Sequence, residues 1–322
     1  MIRLFMVVFP NLLKAHSRSL HICGRNIPSN IPLPPYITQK TDILPSTVEV
    51  LSGRNISECK RAGALIRQIF DALEGFIIPG LSTQDVDDFV FDQCIKKSVY
   101  PSPLGYKGFP KSVCTSVNEV VCHGIPKKSQ ILNLGDIISV DISVYNGHVH
   151  GDSCHTFVVG VDSQLDYPDL EIVERIKTAV YLCTVAKKCR DAGISVCGPN
   201  ALYTSIAEAV TKCADAFQCQ VVVGVCGHGI GPFLHGPPEI IHSVHELPSQ
   251  PLARMLPGHT FTVEPCISLP PSNSGVKFKR NTNFAVPVVL EDGWTVVTRD
   301  NSLTAQFEHT ISITNEGCIV LT

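Results

Sequence analysis

"GFIIPGLSTQDV" at residues 75–86 and "GISVCGPNALYTSI" at residues 193–206 are the stretches on which the fold turns, because each separates two segments of helical periodicity. Before the first, Ala62, Leu65, Ile66, Ile69, Phe70 and Leu73 recur at the spacing of one helix face, predicting a helix from near Ser57 with that face buried. After it, Ser82 with Asp85 three residues on forms a capping signal, and the helix it opens runs to about Lys97. The second stretch is flanked in the same way, by Ile172, Val173, Ile176, Val180 and Cys183 on one side and Tyr203 to Phe217 on the other. Gly80 and Gly198 are then counterparts in the two turns. Strand-like segments follow each helix pair, punctuated by Asn146-Gly147, Pro257-Gly258 and Asp292-Gly293. Helix, turn, helix and antiparallel strands, twice over, predict an internally duplicated α+β chain, not a doubly wound sheet.

The chain is long enough to bury a substantial core: 322 residues, 44% hydrophobic and 17% charged. A net charge of −3 gives no basic field for nucleic acid. The 14 cysteines contain no C-x-x-C pair, so most are expected to be buried free thiols in a reducing compartment. No segment reaches the roughly 20 apolar residues that span a bilayer.

Residues 1–41 differ from the rest. They carry Arg3, Lys14, Arg18, Arg25 and Lys40, with no acidic residue before Asp42, which is the composition of an organelle transit peptide. A secretory signal is the rival, but Pro10 interrupts the apolar run from Leu4 to Leu13. Mitochondrial targeting is therefore the expectation, with a cytoplasmic location as the alternative. "NIPSNIPLPPYITQ" reads as a proline-rich linker or strap, which divides the chain into residues 1–44 and a folded domain at 45–322.

The hairpin "VDISVYNGHVHGDS" at 140–153 carries two aspartates and two histidines. A two-residue Asn-Gly turn pairs 145 with 148 and, further down, Asp141 with Asp152. Carboxylates directly opposite each other repel, and a divalent cation between them removes the repulsion. Solvent exposure is the competing explanation. Downstream, "VCGHGIGPFLHGPP" holds His228 between glycines that permit close backbone approach, with His235 seven residues later. "HTFTVEPCI" ends an alternating strand on Glu264, and "TAQFEHTISIT" places Glu308 in another. An isolated strand glutamate usually faces water. Five donors from four such segments nevertheless match a site for two hard or borderline divalent ions and metal-activated hydrolysis.

Five blocks in order, "SPLGYKGFPKSVCTSVNEVVCHGIP", "GDIISVDISVYNGHVHGDS", "CGHGIGPFLH", "HTFTVEP" and "DGWTVVTRDNSLTAQFEHT", resemble the type 1 methionine aminopeptidases over about residues 50–322, most of all the organellar form. Only 35 residues separate His228 from Glu264, too few for the helical insertion of the type 2 enzymes. The resemblance implies the pita-bread fold, two pseudo-equivalent halves around an antiparallel sheet. It also implies removal of the initiator methionine, chiefly before a small second residue. By the same likeness Asp141, Asp152, His228, Glu264 and Glu308 hold two divalent ions drawn from Co, Mn, Fe or Zn, with Asp152 and Glu308 bridging. Glu264 is then the general base, and His235 and His123 contact the scissile amide and the departing amine.

Tyr106, Phe109, Cys114, Leu234 and Trp294 match the implied methionine pocket. Pro103, Lys107 and Leu234 depart from the family, which more often has cysteine, histidine or glycine, and an aromatic there. In the ideal hairpin register His150 shares a face with Asp152 and is placed to support it, while His148 is expected in solvent. The implied partners are the N-terminal methionine of nascent or imported chains and the ribosome that presents them, with the enzyme a monomer. An Xaa-Pro aminopeptidase or dipeptidase of the same fold, or a catalytically silent binding module, are the alternatives.

Overall fold

The computed structural model describes residues 19–41, 44–161, 169–248, 253–270 and 284–322. Arg3, Lys14 and Arg18, on which part of the targeting expectation rests, lie outside them.

The duplication is present in three dimensions. Helices α1 (Gly53–Glu74) and α2 (Thr83–Lys96) precede strands β1 (Cys114–Val117), β2 (Ile137–Tyr145) and β3 (His150–Val158). Helices α3 (Leu170–Ser195) and α4 (Thr204–Ala216) precede β4 (Cys226–Gly229), β5 (Gly236–Ile241), β6 (Thr260–Val263) and β7 (Cys266–Ser268). Strands β8 (Thr304–Gln306), β9 (His309–Ile313) and β10 (Cys318–Val320) complete the chain. Each half has its own core. Ile66, Ile69 and Leu73 of α1 pack with Val86 and Val90 of α2 and Ile138, Val140 and Ile142 of β2. Leu182 and Val185 of α3 pack with Ile206 and Val210 of α4 and Phe261 and Val263 of β6. Burying each such side chain contributes about 1.5–3 kcal/mol as an upper estimate, so the helix faces seen in the sequence are what fasten the layers.

The two inter-helix turns match in hydrogen bonding, two residues away from the expected correspondence. Gly80 N–H donates to Leu132 O at 2.8 Å, and Asn200 N–H donates to Met255 O at 2.8 Å; Leu132 N–H and Met255 N–H return the bond to Leu81 O and Ala201 O. Asn200, not Gly198, is thus the partner of Gly80, and both take left-handed backbone, φ 91° and φ 68°. Asparagine tolerates that region because its short amide bonds locally. Ser82 caps α2 as expected, its side chain accepting from Asp85 N–H while the Asp85 carboxylate accepts from Ser82 N–H at 2.8 Å.

The β2–β3 register also differs from the two-residue turn. Tyr145 pairs with His150, Ser143 with Asp152, and Asp141 with Cys154. The turn holds four residues because the Asn146 side-chain oxygen accepts from both His148 N–H and Val149 N–H at 3.1 Å, a local alternative that widens the loop. The slip is two residues, so every side chain keeps its face. Asp141 and Asp152 are diagonal neighbours on one face, not an opposed pair.

Beyond the hairpin, β5, β4, β6, β9 and β10 form one sheet in that order, and β7 and β8 pair in a second. The chain passes directly from one of these sheets to the other between β6 and β7 and again between β8 and β9. Residues 20–38 are packed on the domain. The strands Leu20–Ile22 and Arg25–Ile27 form a hairpin. Arg25 pairs with buried Asp87 at 2.6 Å, and Ile27 and Ile31 join Phe91, Tyr100, Leu104 and Tyr145 in one apolar cluster. Residues before position 44 thus share one packed cluster with residues after it.

Candidate metal centre

The β6–β7 and β8–β9 crossovers carry Glu264 and Glu308. Val263 pairs with His309 and Cys266 with Gln306, so the glutamates occupy the breaks on either side of one ladder and turn inward together. Glu308 is therefore not inside a strand, as its alternating neighbours suggested, but in the kink between two. Its backbone is clamped there by Cys154: Glu308 N–H donates to Cys154 O at 3.0 Å, and Ser153 Oγ donates to Glu308 O at 2.8 Å. Asp141 and Asp152 arrive from β2 and β3, and His228 from β4. His228 Nε2 lies 3.6 Å from Asp152 Oδ2 and 3.6 Å from Glu264 Oε1. Ligand atoms of Asp152, His228 and Glu308 all fall within 4.8 Å of one another, the spacing of donors around an ion. All five residues line one cavity.

Four carboxyl groups have been brought together out of water with no lysine or arginine among the cavity's described lining residues. Burial pushes Glu264 up to about 8 and Asp141 up to about 6. Asp152 and Glu308 rise well above the usual range, through burial and then the neighbouring carboxylates. Asp141 Oδ1 and Glu308 Oε1 are buried with no hydrogen-bond partner among the described residues. Burial lowers His228 to about 4, leaving it neutral with a lone pair to give. Such a cluster is costly as bare charge, and a divalent cation is the group that reverses each of these costs.

The sequence profile of metallopeptidase family M24 matches residues 57–315. Relatives named methionine aminopeptidase include the chloroplastic/mitochondrial 1D protein of Arabidopsis thaliana, 39% identical over 300 residues, covering 92% of this chain and 77% of that one. The mitochondrial 1D protein of Homo sapiens is 38% identical, over 92% of this chain and 79% of its own. The chain belongs to metallopeptidase family M24, among its methionine aminopeptidases. A crystal structure of methionine aminopeptidase from Rickettsia prowazekii superposes with a TM-score of 0.73 at 31% identity, over 86% of this chain and 100% of that one. The α+β architecture described above is the pita-bread fold, and the metallopeptidase class makes divalent metal its cofactor.

In this methionine aminopeptidase fold an apolar wall closes one side of the cluster. Pro103, Tyr106, Phe109, Cys114, Leu234 and Trp294 line the same cavity as the carboxylates, about 140 Å³ in all. Phe109 meets Trp294 edge-on, ring centroids 5.2 Å apart. His123 and His235 stand at its rim, His123 6.0 Å from Trp294, and His235 4.2 Å from His228 and 5.1 Å from Tyr106. Cys114 is the cross-strand neighbour of Asp141, which is how one strand pair reaches both pocket and cluster. Every site residue expected from the sequence is thus on this cavity, except His148, which is exposed, and His150. His150 is fully buried but supports Ser102, its Nδ1 2.8 Å from Ser102 Oγ, and not Asp152. Asp152 is served by Ser143.

Several supporting residues escaped the sequence. Thr262 Oγ1 donates to Glu264 Oε1 at 2.7 Å and accepts from His228 N–H at 2.9 Å. Gln306 Nε2 donates to Glu264 Oε2 at 3.2 Å, and His242 Nε2 accepts from Glu264 N–H at 3.1 Å. Thr262 and Gln306 stand two residues before Glu264 and Glu308, so strand periodicity was the signal available for them. The free cysteines fit the sequence: nine of 14 are buried.

Proposed function

We propose that this chain removes the N-terminal methionine from peptides and proteins by hydrolysing the first peptide bond, with Asp141, Asp152, His228, Glu264 and Glu308 holding two divalent ions. The observation that carries the assignment is a single cavity that joins that buried carboxylate cluster to the apolar wall of Tyr106, Phe109, Leu234 and Trp294. Bound there, the ions would supply the Lewis acidity that activates a water at neutral pH and polarises the carbonyl.

The protein's own groups do the rest. The aromatic wall of Phe109, Trp294 and Tyr106 takes the thioether side chain, which is flexible and apolar enough to fill an irregular slot. Glu264 accepts the proton of the attacking water, and Thr262 and Gln306 fix the plane of its carboxylate. His235 and His123, both kept neutral by burial, are placed on the rim to bond the scissile amide and the amine that leaves. Residues 45–322 form the catalytic part, and residues 20–38 buttress it, Tyr36 meeting the pocket residue Tyr106 at 5.0 Å. The basic, acid-free start of the chain and the mitochondrial and chloroplastic names of its relatives support an organelle as the place of action. Nascent or newly imported chains are the substrates there.

The test is methionine release from Met-Ala-Ser by purified protein stripped of metal and then reloaded with Mn, Fe, Co or Zn. Release that depends on metal and is abolished in Asp141→Asn and Glu264→Ala is expected. Failure with every metal, or cleavage of an Xaa-Pro peptide instead, would overturn the assignment.

A further inference from the structure

The methionine pocket opens into a larger cleft of about 850 Å³, where the chain following the first residue of a substrate must lie. Its walls are largely uncharged: Leu44 and Pro45 from the strap side, Tyr203, and Pro237 and Pro238. Lys107 and Glu239 alone among the described lining residues carry a full charge at neutral pH. Glu239 sits across the β4–β5 ladder from His228. Lys107 stands on the pocket side. Its ammonium lies 5.1 Å from the centroid of the Tyr106 ring, and its charge is felt by His235.

Three features make Lys107 more than a surface lysine. It is exposed, and no ion pair among the described residues involves it. Its backbone is left-handed, φ 46° and ψ 28°, between Gly105 and Gly108, which are also at positive φ. A lysine is strained there where glycine would not be, and the turn thereby presents its side chain on the cleft wall. Finally, Tyr106 lines both the methionine pocket and the outer cleft, whereas Lys107 lines only the latter. An extended peptide advances about 3.3 Å per residue, so the residues that follow a seated methionine run on into the cleft that Lys107 lines.

We propose that Lys107 selects substrates with an acidic side chain at the third or fourth residue; this rests on methionine removal being the reaction of the site. A basic side chain at the same place meets repulsion. The contact is solvent-accessible, so it acts on substrate binding, through KM, and is screened by salt.

The experiment compares kcat/KM for Met-Ala-Asp-Asp-Ser and Met-Ala-Lys-Lys-Ser, with Met-Ala-Ser-Ser-Ser as the neutral reference. An acidic-to-basic ratio of about twofold to fivefold is expected at low ionic strength, the range of a partly exposed ion pair, falling toward one in about 0.5 M KCl. Lys107→Gly keeps the left-handed turn without strain and should bring the ratio to about one. Lys107→Glu should invert it. A wild-type ratio of one, or a ratio unchanged in Lys107→Gly, overturns the proposal while methionine removal stands. No methionine release from any of the three peptides overturns both.

Discussion

Ser143 faces Asp152 directly across the β2–β3 ladder, and its hydroxyl donates a 2.8 Å hydrogen bond to Asp152 Oδ1. That bond leaves the Oδ2 side of the carboxylate toward His228, 3.6 Å away. A partner that orients a metal-binding carboxylate typically contributes tenfold to a hundredfold in affinity. Ser143→Ala is therefore expected to raise the Kd for Mn by about tenfold or more, read by calorimetric titration. An unchanged Kd would remove Ser143 from the metal's surroundings.

The same ladder shows what was legible in the sequence and what was not. Period-two alternation placed Asp141 and Asp152 on one face, and a two-residue slip preserves that face, so the pair was found although its register was not. The slip itself depended on the Asn146 side chain entering the turn, a competition between local hydrogen bonds that the dipeptide Asn-Gly does not announce. Helix faces such as Ile66, Ile69 and Leu73 were legible because burial imposes their spacing. Glu308 was legible as a residue but not as a kink, because a break between paired sheets follows from tertiary pairing rather than local pattern. His150 misled for a similar reason: sharing a face with Asp152 did not decide its partner, which is Ser102 on another segment.

The metal-free protein should lose stability as pH rises from 6.5 to 8. Glu264, raised to about 8 in the folded chain, stays protonated there while the unfolded chain has released that proton; the stability this provides is complete below about pH 4.5 and is lost as pH climbs through 8. Asp141, raised to about 6, acts likewise at lower pH. Buried histidines oppose this below pH 6.5, since His228 at about 4 and His150 at about 3 refuse protons that the unfolded chain accepts. Above 6.5 that opposition is spent. Thermal melts in chelator should show Tm falling across this window, with added Mn restoring it; a Tm that rises from 6.5 to 8 in chelator contradicts the carboxylate cluster as the cause.

Trp294 is the edge-on partner of Phe109 and half-buried at the pocket wall. Trp294→Ala removes aromatic contact area from one side of the proposed methionine slot without touching the carboxylates. A loss of about tenfold in kcat/KM for Met-Ala-Ser, close to 1.4 kcal/mol, is the expected size for one wall of a small apolar pocket. Discrimination against Leu-Ala-Ser should narrow at the same time. If both peptides slowed equally, Trp294 would be supporting the fold and not the choice of side chain.

Gly227 and Gly229 flank His228, and the space around them is already filled by backbone. A Cβ on Gly229 would lie 2.0 Å from Pro237 O, and one on Gly227 2.6 Å from Thr262 O. Carbonyls held in the β4 ladders cannot withdraw as a side chain would, so Gly229→Ala forces β4 and β5 apart at the residue next to His228. A destabilisation of about 1–3 kcal/mol is expected from overpacking, together with weaker metal binding. Gly317 is the control: nothing lies within 4 Å of a Cβ built there. Gly317→Ala should change stability by no more than about 0.5 kcal/mol. Urea unfolding of the two variants reads the difference directly. Equal midpoints would mean that the close approach of the strands is not what fixes His228 in place.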